Sequence, residues 1–146
     1  MSTLERAIVI AAKAHEGQFD KGGAPYILHP LHVMLNFSTD EERITAVLHD
    51  VIEDSRITLE NLRSEGFSES IIEAIDAVTI RSGETYKSFV LRAASNQIGR
   101  KVKLADLQHN CDLSRIPNPT ASDYDRIKKY SLAIETILNI EGKINI

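Results

Sequence analysis

Cysteine is nearly absent from this sequence, which has only Cys111 among 146 residues. A single cysteine can form no disulfide within the chain, and it excludes a zinc site built from several thiolates. Any metal bound by this chain must therefore take its ligands from histidine and carboxylate side chains.

Long apolar runs and an excess of basic charge are missing as well. No apolar stretch approaches the roughly 20 residues that a membrane-spanning helix needs, and the first five residues, MSTLE, lack the basic start of a secretory signal. We therefore expect a cytoplasmic protein with no membrane partner. The net charge of −4 argues against nucleic-acid binding, which relies on many Lys and Arg contacts to phosphates. A small phosphorylated ligand needs only a few local cations.

The length and composition are those of one globular domain, which we take to span residues 1–146. The hydrophobic content of 42% and the charged content of 26% are ordinary for a globular protein, and Gly and Pro are sparse. Apolar residues recur at helical spacing behind capping residues such as Thr39 and Ser68, and no long segment alternates as a strand does. These patterns predict an all-α fold.

Capping and breaking residues predict where the helices lie. The expected helices run from Leu4 to about His15, from Pro30 onward, from Thr39 to about Asp54, from Thr58 to Glu65, from Ser68 through Val78, from about Thr85 to Ala94, from about Gly99 to Leu113, and from Ser122 onward. His15 and His32 are interpreted as rim or surface histidines on these helices.

One predicted helix carries four ionisable residues within two turns: His49, Asp50, Glu53 and Asp54. Residues three and four apart share a helix face, so His49 is expected to pair with Glu53, and Asp50 with Glu53 and Asp54. Their apolar neighbours suggest a helix packed into the core, where a polar edge is costly without a partner. A divalent cation would be such a partner, and imidazole with carboxylate suits Mn, Fe, Zn or Co.

A second candidate edge lies on the predicted helix near residue 106. Lys103, Asp106 and Asn110 share one side of this helix beside apolar residues, which suggests a site. His29, at the entry of a short helix, is the third component. Each has a simpler structural explanation: His29 as a capping side chain, or Asp106 as the ion-pair partner of Lys103. Both explanations stay open on the residues alone.

Four blocks of sequence together resemble one family, the HD-domain hydrolase of the stringent-response alarmone enzymes. The blocks are Gly17-Gln18, PYILHPL at 25–31, LHDVIED at 48–54 and VKLAD at 102–106. Their order and spacing match over about residues 4 to 138. The resemblance implies a compact HD-domain helical bundle with a mononuclear metal site at its centre.

The resemblance also implies the chemistry of that site. It assigns one metal ion, usually manganese although another divalent metal is possible, to four ligands: His29, His49, Asp50 and Asp106. It places Glu53 and Asp54 as the catalytic pair that orients the attacking water or takes its proton. The implied reaction removes the 3′-pyrophosphate from a guanosine or adenosine alarmone, ppGpp or ppApp.

Four further positions match residues that the family places near its substrate: Lys21, Lys103, Asn110 and Tyr130. Lysines suit a polyanionic ligand. The structural alternatives are an exposed loop residue for Lys21, a core residue with its hydroxyl at the rim for Tyr130, and a helix-end hydrogen bond for Asn110.

Three departures from the family remove basic residues. Asp20 stands where the long alarmone enzymes have an arginine, Leu107-Gln108 replaces an arginine-leucine pair, and Ile80 replaces a lysine. A carboxylate cannot repeat an arginine's stacking on a base or its pairing with phosphate. The metal ligands are unaffected, so hydrolysis stays the prediction while guanine specificity is weakened.

Two alternatives follow from these departures. One is an HD-domain phosphohydrolase of another nucleotide, such as a phosphatase for the 2′-phosphate of NADPH. The other is a non-catalytic nucleotide sensor, against which the intact Glu53 and Asp54 argue. In each case the partner is a small phosphorylated nucleotide, and the oligomeric state is not predicted.

Overall fold

The computed structural model describes residues 1–144 and confirms the all-α fold. Nine α-helices follow one another in this part of the chain: α1 (Leu4–Ala14), α2 (Leu28–Met34), α3 (Asp40–Leu48), α4 (Val51–Asp54), α5 (Leu59–Ser64), α6 (Glu69–Ala77), α7 (Tyr86–Ser95), α8 (Gln97–Asn110) and α9 (Ala121–Ile144). A 3-10 turn, Leu113–Arg115, separates the last two. Across residues 1–144 the strand-like pairing is one isolated bridge between Phe19 and Pro25.

Several helices begin where the capping residues predict. The hydroxyl of Thr39 accepts a hydrogen bond from Glu42 N at the start of α3, and Thr58 forms a reciprocal capping box with Asn61 at the start of α5. Such caps satisfy backbone N–H groups that have no partner within the helix, each stabilising it by about 1 kcal/mol. The local sequence therefore sets these boundaries.

The helix expected from Thr39 to Asp54 is instead two helices, and this prediction was wrong. α3 ends at Leu48, and α4 begins at Val51. The cause is local: His49 Nδ1 lies 2.6 Å from the carbonyl oxygen of Ala46, which in an unbroken helix would accept from Asp50 N. His49 and Asp50 therefore stand in the turn between α3 and α4.

Two other boundaries differ from the predictions. α2 begins at Leu28 rather than Pro30, so the proline occupies the first turn, where its missing N–H group costs nothing. α8 runs from Gln97 to Asn110 rather than from Gly99 to Leu113, since Asn96 caps its first turn by accepting from Gly99 N. The last two residues of the sequence, 145 and 146, fall outside the described part of the chain.

α8 lies between two apolar clusters. The larger cluster packs α1, α2, α3, α5 and α6 against one side of α8, with Leu48, Leu62 and Ile72 among its fully buried side chains. The smaller one joins α7, α8 and α9 around Leu107 and Ile137. Burial of each such side chain stabilises the fold by about 1.5–3 kcal/mol. Helix α8 is thereby fixed on both sides, which gives its polar residues a rigid support.

Among residues 1–144, none of the helices combines the length and the apolar character needed to span a membrane.

Candidate metal centre

The four predicted metal ligands come together at one point in the helical bundle. His29 comes from α2, His49 and Asp50 from the turn between α3 and α4, and Asp106 from α8. One ligand atom from each lies within 4.8 Å of the others. Both histidines are 2% exposed and Asp106 is 5% exposed, so this cluster is inside the protein.

His49 fits a metal ligand particularly well. Its Nδ1 donates to the Ala46 carbonyl, which leaves Nε2 facing Asp50 Oδ2 at 3.0 Å and Asp106 Oδ1 at 3.3 Å. Within residues 1–144 neither of these close contacts forms a hydrogen bond, so Nε2 is a buried nitrogen next to two carboxylates. A buried polar atom without a partner costs about 1–3 kcal/mol. Two imidazole nitrogens and two carboxylate oxygens are the donors that a borderline divalent cation prefers, so these residues fit such an ion.

Both ring nitrogens of His29 have a close polar neighbour. Nε2 lies 2.8 Å from Asp106 Oδ1, and Nδ1 lies 2.8 Å from His109 Nδ1. Burial and the nearby Arg115 lower the pKa of His109 to about 4, so its neutral ring can accept from the Nδ1–H of His29. His29 is not the helix cap considered from the sequence, because Ile27 occupies that position. Histidine ligands of metals are usually oriented by such a second hydrogen bond.

Three donors orient the two carboxylate ligands. Tyr26 donates its hydroxyl to Asp50 Oδ2 at 2.6 Å, and Asn110 Nδ2 donates to Asp106 Oδ1 at 3.0 Å. Lys103 Nζ lies 3.0 Å from Asp106 Oδ2 and 4.6 Å from the centroid of the Phe89 ring. Lys103 is 9% exposed. It forms with Asp106 the ion pair that the sequence analysis considered as a structural explanation of Asp106.

The electrostatics of the cluster keep both carboxylates ionised. Burial opposes their charge, yet Lys103 and His49 hold the pKa of Asp106 well below its usual range. Burial also opposes ionisation of Asp50, and His49 outweighs it and lowers that pKa. For His49, burial disfavours the charged ring, but Asp50 and Asp106 raise its pKa well above the ordinary value. The cluster therefore attracts positive charge.

The predicted catalytic pair lies on α4 at the outer side of the cluster. Both residues, Glu53 and Asp54, reach the protein surface. Partial burial of their carboxyl groups, together with the negative charge of Asp50, nevertheless raises the pKa of each. Glu53 Oε1 accepts from Ile80 N at 2.8 Å, which fixes that carboxylate. The expected pairing of His49 with Glu53 is not formed within residues 1–144, because the turn at Asp50 directs the imidazole toward Asp106 instead.

His15 contributes to the support of α4, and its interpretation as a rim histidine was wrong. The side chain is 2% exposed, and its Nδ1 lies 2.8 Å from Gln18 Oε1. Gln18 Nε2 in turn donates to the Asp54 carbonyl at 2.8 Å. The end of α4 is therefore tied to the loop after α1.

A cavity of about 340 Å³ lies next to the cluster. Tyr26 and Asn110 line it, and both donate to ligand carboxylates, so one side chain separates the cavity from Asp50 and one from Asp106. Two more predicted substrate residues, Lys21 and Tyr130, are also in its wall. Lys103 is absent from the lining, since its ammonium group faces Asp106 and Phe89.

Sequence reasoning gave no site role to Tyr26, Arg115 or Arg126, and it did not predict that His109 supports a ligand. Tyr26 and His109 orient ligands, while Arg115 and Arg126 add positive charge to the cavity wall. Tyr26 stands three residues before His29, a spacing that places two side chains on one side of a helical turn. Arg115 follows α8 in a 3-10 turn, and no spacing rule connects it with the ligands.

Comparison with known proteins identifies alarmone enzymes as relatives of this chain. A GTP pyrophosphokinase of Myxococcus xanthus is 34% identical over 128 residues, which are 75% of this chain and 17% of that protein. A guanosine-3′,5′-bis(diphosphate) 3′-pyrophosphohydrolase of Borreliella burgdorferi is 33% identical over 147 residues, covering 90% of this chain and 21% of the relative. The chain thus spans about a fifth or less of the length of these relatives. No protein-family model matches the chain.

A solved structure of a metazoan ortholog of SpoT, which hydrolyses ppGpp, has the same fold. It superimposes with a TM-score of 0.77 at 21% sequence identity, and the match covers 99% of this chain and 93% of the other. Fold and site define an all-helical HD-type domain with a His and Asp cluster that can hold a divalent metal. The chain belongs to the Rel/SpoT-type hydrolase domains, which confirms the resemblance found in the sequence.

Proposed function

We propose that this domain is a metal-dependent hydrolase that removes the 3′-pyrophosphate from a guanosine or adenosine alarmone. The observation that carries the proposal is the junction between the metal cluster and the cavity: Tyr26 and Asn110 line the cavity and donate to Asp50 and Asp106. A phosphorylated ligand in the cavity would therefore contact the side chains that hold Asp50 and Asp106. The relatives named as 3′-pyrophosphohydrolases support this substrate class.

We assign the metal to His29, His49, Asp50 and Asp106, with manganese as the ion expected in the cell. When bound, a divalent ion lowers the pKa of water and stabilises negative charge on a phosphate. The protein contributes orientation, because each ligand has a second contact to Tyr26, His109, Asn110, Lys103 or the Ala46 carbonyl.

We assign proton removal to Glu53, with Asp54 beside it. A general base works best when its pKa is close to the working pH, and the raised pKa of Glu53 moves it in that direction. Ile80 N holds one of its oxygens and leaves the other available for a water molecule. The pKa of Asp54, the next residue of α4, is also raised.

Substrate binding is assigned to the cations of the cavity wall. Lys21, Arg115 and Arg126 line the space, and we assign them to the phosphate groups of the substrate. Arg115 and Arg126 each also pair with a carboxylate of the protein, Asp20 and Asp123. Tyr130 offers an aromatic face for the base. The cytoplasmic location stays a prediction from the sequence.

Turnover on a nucleotide panel tests the proposal. Purified protein with manganese is incubated with guanosine and adenosine 3′-pyrophosphates and with NADPH, and the released pyrophosphate and phosphate are quantified. Pyrophosphate from the first two supports the proposal, whereas phosphate from NADPH alone favours the phosphatase. A nucleotide that binds without turnover would identify a sensor and overturn the proposed activity.

A further inference from the structure

Asp20, the acid that replaces a family arginine, is fully engaged within the protein. Its Oδ1 accepts hydrogen bonds from Gly22 N and Ala24 N, both at 2.9 Å. Its Oδ2 lies 3.5 Å from Arg115 Nη2, and the side chain is 15% exposed. The carboxylate therefore closes its own loop and pairs with the segment that follows α8.

Arg115 continues this connection toward the metal cluster. Its Nη1 donates to the His109 carbonyl at 3.0 Å and lies 3.3 Å from Asn110 Oδ1. Asn110 in turn donates from Nδ2 to Asp106 Oδ1. A chain of polar contacts thus runs from Asp20 through Arg115 and Asn110 to Asp106.

Gly22 brings the loop into direct contact with the backbone of Arg115. A Cβ atom built on Gly22 would lie 1.9 Å from the Arg115 carbonyl oxygen, far inside any real contact distance. The neighbouring atom is backbone and cannot rotate away as a side chain can. Glycine is therefore required at this position for the loop to reach the segment after α8.

We propose that Asp20, Gly22 and Arg115 form a latch that positions Lys21 and Asn110 for the phosphate groups of the substrate. The inference rests on the proposed function for the identity of the substrate. The latch acts through Lys21, which stands between Asp20 and Gly22 in the cavity wall, and through Asn110, which lines the same cavity next to Arg115. Asp20 is thus a positioning residue, and its charge is balanced by Arg115 instead of repelling the substrate.

Three substitutions test the latch, with one matched control. Gly22→Ala and Asp20→Ala should each raise KM about tenfold while kcat changes less than about threefold, because binding is lost and the catalytic groups are kept. Asp20→Asn retains an oxygen acceptor for the loop amides and should recover part of the affinity. Gly142→Ala is the control, since a Cβ there meets no atom within 4 Å.

Binding without turnover separates this inference from the proposed function. The dissociation constant for guanosine 3′,5′-bis(diphosphate) is measured with chelator present, and amide exchange is followed at Gly22 and Ala24. The latch predicts about tenfold weaker binding and faster exchange in Asp20→Ala. Wild-type affinity in both Asp20→Ala and Gly22→Ala would overturn the latch, even if the wild-type enzyme turns over. Tight binding by a wild-type protein that never hydrolyses the nucleotide would overturn the proposed function alone.

Discussion

Replacement of Lys103 by methionine should destabilise the metal-free protein strongly. The ammonium group lies 3.0 Å from Asp106 Oδ2, and the side chain is 9% exposed. Methionine fills a similar volume without the charge, so the main loss is the counter-charge of Asp106. Asp106 would keep its contacts to His29, His49 and Asn110, which limits the loss.

The expected magnitude follows from the burial of this pair. Removal of one partner of a buried ion pair costs about 3–5 kcal/mol, because the other charge stays in a region of low polarity. With the remaining partners of Asp106, the lower end of that range, about 3 kcal/mol, is the expected loss. For a domain of this size, that corresponds to a melting temperature about 10 °C lower.

Thermal unfolding of metal-free protein, followed by circular dichroism, measures this loss. Lys101→Met is the matched control on the same helix, since Lys101 pairs with Glu42 at 3.1 Å but its side chain is 47% exposed. An exposed pair contributes about 0–1 kcal/mol, so the control should melt within about 3 °C of wild type. Added manganese should raise the melting temperature of Lys103→Met more than that of wild type, because the ion replaces the lost charge. Equal melting temperatures for Lys103→Met and Lys101→Met would refute the reasoning.

Three further predictions concern the metal, the base and the stability at low pH. His109→Ala removes the acceptor for His29 Nδ1 and should raise the metal dissociation constant about 10- to 100-fold in calorimetric titration; an unchanged constant would contradict that role. Glu53→Gln should retain wild-type metal content while kcat falls about 100-fold or more, and a loss of only a few-fold would move proton removal elsewhere. Glu84 pairs with Arg92, which lowers its pKa from an ordinary 4.5 to about 2, so its stabilising effect is present above pH 4.5 and is lost as the pH falls toward 2. Glu84→Gln should therefore melt below wild type at pH 7, with a difference that shrinks between pH 4.5 and 2 in a melting series; a difference independent of pH would exclude this ion pair as the cause.

Helix starts were predictable because their causes are local. Thr39, Thr58 and Ser68 each accept a backbone N–H three residues ahead, an interaction that lies within a few letters of sequence. The break after Leu48 was not predictable from capping or periodicity. It depends on a hydrogen bond from the His49 side chain to the Ala46 carbonyl, which ends α3. His49 and Asp50 can then both lie in one turn close to Asp106.

The candidate site was predictable only in part for a similar reason. Spacing indicated polar edges near His49 and Asp106, but the resemblance was needed to join them with His29. The structure adds contacts between distant segments, such as Tyr26 with Asp50 and Asp20 with Arg115. In particular, the negative charge of Asp20 weakened the prediction of guanine specificity, but in the structure Arg115 balances it. No local sequence pattern connects these two residues.

The central claim is tested most directly by identifying the products of one reaction. Wild-type protein is incubated separately with guanosine and with adenosine 3′,5′-bis(diphosphate), with manganese or with chelator, and the products are quantified by phosphorus NMR. From at least one of the two nucleotides we expect pyrophosphate and the nucleoside 5′-diphosphate in equal amounts with manganese, and no reaction with chelator. Both nucleotides intact in the presence of the metal, or equal turnover in chelator, would contradict the account.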